Sequence, residues 1–277
     1  MERTRTIGIG AALVVVVALL ALIAYHKQQQ RMAATAPAVE AAAENLDVPG
    51  LQDQAGEPVP PPAPPESPRW DAEGVTLAGS DTVFRGIVRE LSGHPLLPRM
   101  LALDGLADTF VAAVDNITEG ATPVRQFAAL APGDSFAPDL AGETFVFSEE
   151  NAGRYDLVAG LALSISPEDC VELYRTFYPL LAQSYQELGY PDGDFHRAFT
   201  GALRHLLRTP ELEGPVPLER KVTTYAYADP RLESLSPAQK QLLRTGPENA
   251  RRIRQWLSEV DRLLQAAPAA VPEAELP

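Results

Sequence analysis

Apolar positions recur every three or four residues in several stretches of the chain. The clearest one begins at Ser166 and ends at Gly189, with Pro167 at the first helical position. Ser is a good N-cap, Pro suits the first turn, and Gly commonly ends a helix. The apolar face is formed by Cys170, Tyr174, Phe177, Leu181, Tyr185 and Leu188. This pattern predicts a long helix over 167–188, kinked at Pro179.

Other segments repeat this spacing more briefly. Further helices are predicted over residues 80–91, 149–163, 236–244 and 247–265, from 100 or 104 to 116, and from 192 or 194 to 207. Alternating β-forming residues predict two strands, Glu143–Phe147 and Lys221–Tyr227, while Pro215 and Pro217 argue against regular structure before the second. The predicted fold class is therefore mainly α: an α-helical domain of about six helices with a small two-stranded β-ribbon.

The N-terminal part is strongly apolar over residues 7–25. At about 1.5 Å per residue, this stretch matches a hydrocarbon core about 30 Å thick. A cleaved signal peptide is the rival interpretation, but its apolar core is usually about 7–15 residues long. We therefore predict a single-pass N-terminal transmembrane helix. Arg3 and Arg5 favour a short cytoplasmic tail, residues 1–6, with the C-terminal part in the periplasm.

Residues 26–79 are rich in Ala, Pro and acidic side chains. Such composition cannot support a packed core, which predicts a disordered Pro-rich tether. The run Val59–Pro68 favours an extended polyproline II rod, with a docking ligand as the alternative. The folded domain is expected over 80–265, followed by a disordered tail over 266–277.

Charge and cysteine content narrow the classes of function. The 277-residue chain has a net charge of -14, which argues against a protein that coats nucleic acid. The single cysteine, Cys170, excludes an intrachain disulfide framework and lies on an apolar helix face, which predicts a buried structural thiol. His196 and His205 are too far apart for a zinc pair on one helical turn. No metal, cofactor or catalytic residue is predicted.

Several long phrases occur together in a recognisable order. They are FVAAVDN at 110–116, RY at 154–155, LYRTFYPLLAQSYQELGYPDGDF at 173–195 and DPRLESLSPAQKQLLRTGPENARRI at 229–253. In these phrases the chain resembles an uncharacterised bacterial family, the domain of unknown function 3014. The resemblance covers about residues 80–265 and implies a single-pass envelope protein with a proline-rich tether. It implies no reaction and no ligand.

Two groups of side chains are candidate binding sites. The first combines arginine, tyrosine and carboxylate groups that could line a pocket for a polar ligand, or could simply pack and cap helices. Its members are Arg154, Tyr155, Tyr178, Tyr190, Asp192 and Asp194. The second comprises Arg251, Arg252 and Arg254, on the second helix of a helix–turn–helix pattern. A DNA-reading module is one interpretation of this group, and a docking patch for an acidic partner is the preferred one.

We therefore expect a bacterial inner-membrane protein anchored through residues 7–25. Its periplasmic α-rich domain would be a binding or scaffolding module for a protein partner in the cell envelope, with no nucleic acid bound. One alternative is an enzyme acting on a cell-wall or other polar envelope substrate through the Arg154 cluster. A second alternative is a cytoplasmic-facing regulator that uses the C-terminal helix pair.

Overall fold

Helices make up most of the part of the chain that the structure, a computed structural model, describes: residues 61–62, 69–122, 136–222 and 224–266. They are α1 (Ser80–Leu91), α2 (Leu97–Met100), α3 (Leu106–Thr118), α4 (Glu149–Ala152), α5 (Asp156–Ala162), α6 (Pro167–Leu188), α7 (Phe195–Leu207), α8 (Pro230–Glu233), α9 (Pro237–Arg244) and α10 (Pro247–Gln265). Short 3-10 turns at Leu77–Gly79 and Gly153–Tyr155 lead into α1 and α5.

The longest helix, α6, has the ends that its sequence predicts. The Ser166 hydroxyl accepts a hydrogen bond from the Asp169 N–H at 3.1 Å, and Gly189 follows the helix with a φ of 129°. The helix continues through Pro179, whose missing N–H removes one backbone bond. Helix α6 packs against α3 and α10, while α7 packs against the same two helices. These four helices therefore form much of the main core, to which α1 and α5 also contribute buried side chains.

Aromatic side chains fill the centre of this core. Tyr174 of α6 lies with its ring 4.6 Å from that of Phe199 on α7, and Phe110 of α3 meets Phe199 edge-on at 5.6 Å. Trp70, which the sequence analysis placed in the tether, is only 3% exposed and belongs to the same core. The packed part of the chain therefore includes residues before position 80.

Four antiparallel strands form a sheet beside the helices. They are β1 (Asp139–Ala141), β2 (Thr144–Phe147), β3 (Val216–Arg220) and β4 (Tyr225–Tyr227), in spatial order β1-β2-β3-β4. A second apolar cluster lies on its inner face, where Phe147, Val216, Leu218 and Tyr227 pack with Leu243 of α9.

The predicted two-stranded ribbon is therefore wrong. Between β3 and β4 the Lys221 N–H donates to the Thr224 carbonyl at 2.9 Å, so the predicted strand over 221–227 begins only at Tyr225. Strand β3 contains Pro217, whose carbonyl accepts from the Ala228 N–H. In an antiparallel strand the N and C=O of one residue face the same neighbour. The missing N–H of Pro217 thus falls at the end of the β3–β4 ladder, where the sheet tolerates it.

The expected transmembrane helix also needs correction. No helix in the described ranges is both long and apolar enough to cross a membrane. Residues 1–60, which include the predicted span at 7–25 and most of the predicted tether, lie outside those ranges, as does the predicted tail from 267 onward. In the described ranges the fold is corrected to a mainly helical one with a four-stranded antiparallel sheet.

Candidate functional site

A small cavity of about 30 Å³ lies between the inner face of the sheet and the turn at Gly153–Tyr155. One water molecule needs roughly 10–15 Å³ of cavity, so this space admits only a small group. Its apolar walls are Phe136, Phe147, Leu218 and Tyr225. Its polar lining consists of Arg154, Tyr227 and Arg244. We call this cavity the sheet pocket.

Strand register brings the walls of the sheet pocket together. Leu218 of β3 lies opposite Tyr227 of β4, and Phe147 lies opposite Val216. Because side chains alternate across a sheet, Tyr225 and Tyr227 face the same side as Leu218. The Phe136 ring meets that of Tyr225 edge-on at 5.9 Å. The result is an aromatic wall built from separate segments of the chain.

Arg154 is held in place by neighbouring rings. Its guanidinium lies 5.2 Å from the Phe136 ring centre and 4.8 Å from that of Tyr155. One of its nitrogens, Nη2, also donates to the Tyr155 hydroxyl at 3.1 Å. Since Tyr155 is fully buried in the main core, it is a rigid support for the cation. Arg154 therefore presents a positioned positive charge at the pocket.

Arg244 brings a second positive charge from the last residue of α9. Across the residues that the structure describes, its guanidinium forms no hydrogen bond and no ion pair. Its electrostatic neighbours are Tyr227 and Glu233. Glu233 is itself engaged, because it accepts hydrogen bonds from the Tyr227 N–H at 2.9 Å and from the Lys240 ammonium at 2.8 Å. Arg244 is thus available to an incoming anion.

Tyr227 adds a neutral donor. Its side chain is 6% exposed, and its hydroxyl has no hydrogen-bond partner among the described residues. Burial raises the pKa of Tyr227 to about 12, against the opposing effect of nearby Arg244. The hydroxyl therefore stays protonated at physiological pH and can donate. Two cations and a buried hydroxyl around one cavity suit an anionic group.

The remaining residues of the predicted tyrosine cluster lie elsewhere. Asp194 caps α7 by accepting the Arg197 N–H at 3.0 Å, and Asp192 is exposed in the preceding turn. The Tyr190 ring stacks on Tyr185 at 4.5 Å. The sheet pocket is therefore lined without any of these remaining residues of the cluster.

Tyr178 and Tyr190 take part in local hydrogen bonds. Tyr178 accepts from the His196 N–H, and the Tyr174 hydroxyl is 2.9 Å from His196 Nδ1. Tyr190 is hydrogen-bonded to Asp115, which raises the pKa of Tyr190. Burial raises the pKa of the Asp115 carboxyl, while the same hydrogen bond opposes that shift. These contacts join α3, α6 and α7, so we interpret them as packing interactions.

The predicted basic patch on α10 is largely neutralised. Arg251 pairs with Glu248 at 2.5 Å, and Arg254 pairs with Glu211 at 2.8 Å. Arg252 is exposed on the same helix. Exposed ion pairs contribute little to stability, and here they also reduce the net charge that this surface offers to an acidic partner.

A larger open cleft, about 440 Å³, lies where α1 and α3 begin beside the end of α6. Its carboxylates are already engaged. Asp81 accepts hydrogen bonds from the backbone N–H groups of Gly105 and Leu106 at 2.9 and 2.8 Å, and Asp108 accepts one from the Ser184 hydroxyl at 2.6 Å.

Within the described ranges, no group of His, Cys, Asp and Glu is arranged to hold a metal ion. Burial raises the pKa of the Cys170 thiol, which favours its unreactive form.

Comparison with known proteins places the chain in a family. A family model described as "Protein of unknown function (DUF3014)" matches residues 106–261. The chain belongs to the DUF3014 family. This confirms the resemblance drawn from the sequence, and the match contains every residue that lines the sheet pocket. No curated protein and no solved structure matched the chain.

Sequence reasoning found only one lining residue of the sheet pocket, Arg154. Tyr225 and Tyr227 were assigned to a strand but not to a site, and Arg244 was only one of several basic residues near the C-terminus. Since these residues come from separate segments, no contiguous motif marks them. A Tyr-x-Tyr alternation in a strand, followed by an arginine at a helix end, was the available signal.

Proposed function

We propose that this DUF3014 protein is a binding module whose sheet pocket receives an anionic group of a protein partner. The observation that carries the proposal is that Arg244 and the Tyr227 hydroxyl line the same cavity. In the described structure Arg244 has no ion-pair partner and the hydroxyl has no hydrogen-bond partner. Arg154, held by stacked rings, adds a second cation at the same cavity.

The energetics of unsatisfied groups support this choice. A buried donor without a partner costs about 1–3 kcal/mol relative to a bonded one. Native proteins keep few such groups, and each one calls for an explanation such as a bound water or ion. An anion at the sheet pocket would satisfy the Tyr227 hydroxyl and neutralise Arg244 at once.

The size of the cavity supports binding over catalysis. A volume of about 30 Å³ admits one small terminal group, whereas small-molecule sites usually occupy about 300–1,000 Å³. The rest of the bound molecule must lie outside the pocket on the surface. A protein that inserts one side chain or chain end meets this requirement.

Anion-dependent stability tests the proposal. Purified full-length protein is unfolded thermally in sodium acetate, sodium phosphate or sodium chloride at equal ionic strength. We expect acetate or phosphate to raise the midpoint beyond chloride, because at ten times the dissociation constant a ligand adds about 1.4 kcal/mol. The gain should be lost in Arg244→Gln and kept in Arg252→Gln, which removes an exposed arginine outside the pocket. Equal anion responses in all three proteins would refute the proposal.

The compartment in which the partner resides stays a prediction. The periplasmic location and the alternative of a cytoplasmic regulator differ in protease exposure. If the folded domain is periplasmic, protease added to intact spheroplasts should cut it together with a periplasmic control protein. Protection of the domain while the control is cut would favour the cytoplasmic regulator.

A further inference from the structure

Building on the proposed function, we infer that the group received by the sheet pocket is a peptide carboxylate carried on an apolar stem. A glutamate side chain and the C-terminus of a partner chain both present this chemistry. The inference comes from the size of the cavity, its charge and the character of its walls.

Size favours a carboxylate over a phosphate. The cavity of about 30 Å³ exceeds the roughly 10–15 Å³ that one water molecule needs, so it admits a small terminal group. A carboxylate is planar and presents two oxygens to its donors, whereas a phosphate ester is tetrahedral and presents three. The flat group is the better match to a narrow space beside aromatic rings.

Charge favours a monoanion. Arg244 is one cation without an ion-pair partner in the described structure, and Tyr227 donates without bringing charge. A carboxylate balances Arg244 one to one. A phosphate, at about -1.5 to -2, would need Arg154 as well as Arg244 for charge balance, and Arg154 is already oriented by Phe136 and Tyr155. The chain as a whole, at -14, also repels highly charged anions.

The donors match the acceptor pattern of a carboxylate. A guanidinium can offer two parallel N–H groups to the two carboxylate oxygens. The Tyr227 hydroxyl can donate a further bond to one of those oxygens. Arg154 is oriented by the rings of Phe136 and Tyr155 and strengthens the local positive potential.

The walls determine what carries the carboxylate. Phe136, Phe147, Leu218 and Tyr225 surround the cavity with apolar surface. Methylene groups of a glutamate, or the apolar side chain of a C-terminal residue, can lie against this surface. A short stem with no second charge fits this environment best.

Peptide titrations test the inference. Four acetylated probes are titrated into full-length protein by calorimetry at constant ionic strength. They end in glutamate amide, free C-terminal leucine, glutamine amide or phosphoserine amide. We expect one of the two carboxylate probes to bind about tenfold or more tighter than the glutamine and phosphoserine probes, since a hydrogen bond to a charged group contributes that much. Which of the two binds tighter identifies the source of the carboxylate.

Matched variants test the carboxylate inference separately from the proposed anion pocket. Arg244→Gln should weaken the carboxylate probe about tenfold, Tyr227→Phe should weaken it by a smaller factor, and Arg252→Gln should leave it unchanged. Circular dichroism confirms that each variant is folded. A phosphoserine probe that binds tightest and depends on Arg244 would overturn the carboxylate inference and leave the anion pocket standing. If every probe binds the Arg244→Gln variant as tightly as the unsubstituted protein, both the carboxylate inference and the proposed anion pocket are wrong.

Discussion

Replacement of Tyr227 by phenylalanine should stabilise the free protein. The side chain is 6% exposed and its hydroxyl has no hydrogen-bond partner in the described structure. Removing that hydroxyl while keeping the ring recovers a desolvation penalty of about 1–3 kcal/mol. We therefore expect the free energy of unfolding to rise by about 1–2 kcal/mol. In a domain of this size, each kcal/mol raises the melting temperature by roughly 2–4 °C.

Tyr174 provides a matched control. It is equally well buried, at 1% exposure, but its hydroxyl lies 2.9 Å from His196 Nδ1. Tyr174→Phe leaves the imidazole nitrogen unpaired and should cost about 1–3 kcal/mol. The two substitutions remove the same atom and should change stability in opposite directions.

Urea unfolding followed by the helical circular dichroism signal measures both variants, with equal m-values required for the comparison. The reasoning fails if Tyr227→Phe lowers the free energy of unfolding by about 1 kcal/mol or more, because a bonded hydroxyl would then be indicated. It also fails if the two variants shift stability in the same direction by similar amounts.

Three further outcomes are expected for the free protein. Trp70→Ala should cost about 3–5 kcal/mol, because Trp70 is 3% exposed in the main core; a loss below about 1 kcal/mol in urea unfolding would contradict this. Burial is the main reason that the pKa values of His94, His196 and His205 lie below 6.5, so folding favours their neutral forms. The stability that these neutral histidines contribute should be fully present above pH 6.5 and should be lost as the pH falls through their lowered pKa values in the folded protein. Equal urea midpoints at pH 7.5 and 5.5 would contradict this. Asp81→Ala removes the acceptor for two backbone N–H groups at the start of α3 and should cost about 1–3 kcal/mol, and a change below about 0.5 kcal/mol would contradict it.

The long helices could be predicted because their signals are local. Ser166, Pro167 and Gly189 mark the ends of α6, and Ser236 with Gln239 forms the expected capping box at α9. Each signal lies within a few residues of the structure it specifies. Helical periodicity then identifies the buried face without knowledge of the rest of the chain.

The sheet could not be predicted in the same way because its pairing is not local. Phe147 pairs with Val216, which lies beyond four intervening α-helices. Pro217 was taken as evidence against a strand, since a missing N–H usually breaks a ladder. Only the register shows that the missing N–H falls at the end of the β3–β4 ladder, where the sheet tolerates it.

The sheet pocket was missed for a related reason. Arg154 was among the candidates, but apart from Tyr155 it was grouped with tyrosines and aspartates that lie near α7. Its actual neighbours, Phe136 and Tyr155, come from the segment before β1 and from its own turn. Arg244 gave no separate signal, because an arginine at the end of a helix is ordinarily a favourable partner of the helix dipole.

The most direct test of the carboxylate pocket is the Arg244 side chain itself. Its Nε–H resonance can be assigned in nitrogen-15-labelled protein by comparison with Arg244→Gln. On addition of the glutamate or C-terminal leucine probe, we predict that this resonance shifts with saturation, while that of Arg252 does not move. If the Arg244 resonance stays unchanged at probe concentrations that saturate binding elsewhere on the protein, the pocket does not hold the carboxylate and the central claim is wrong.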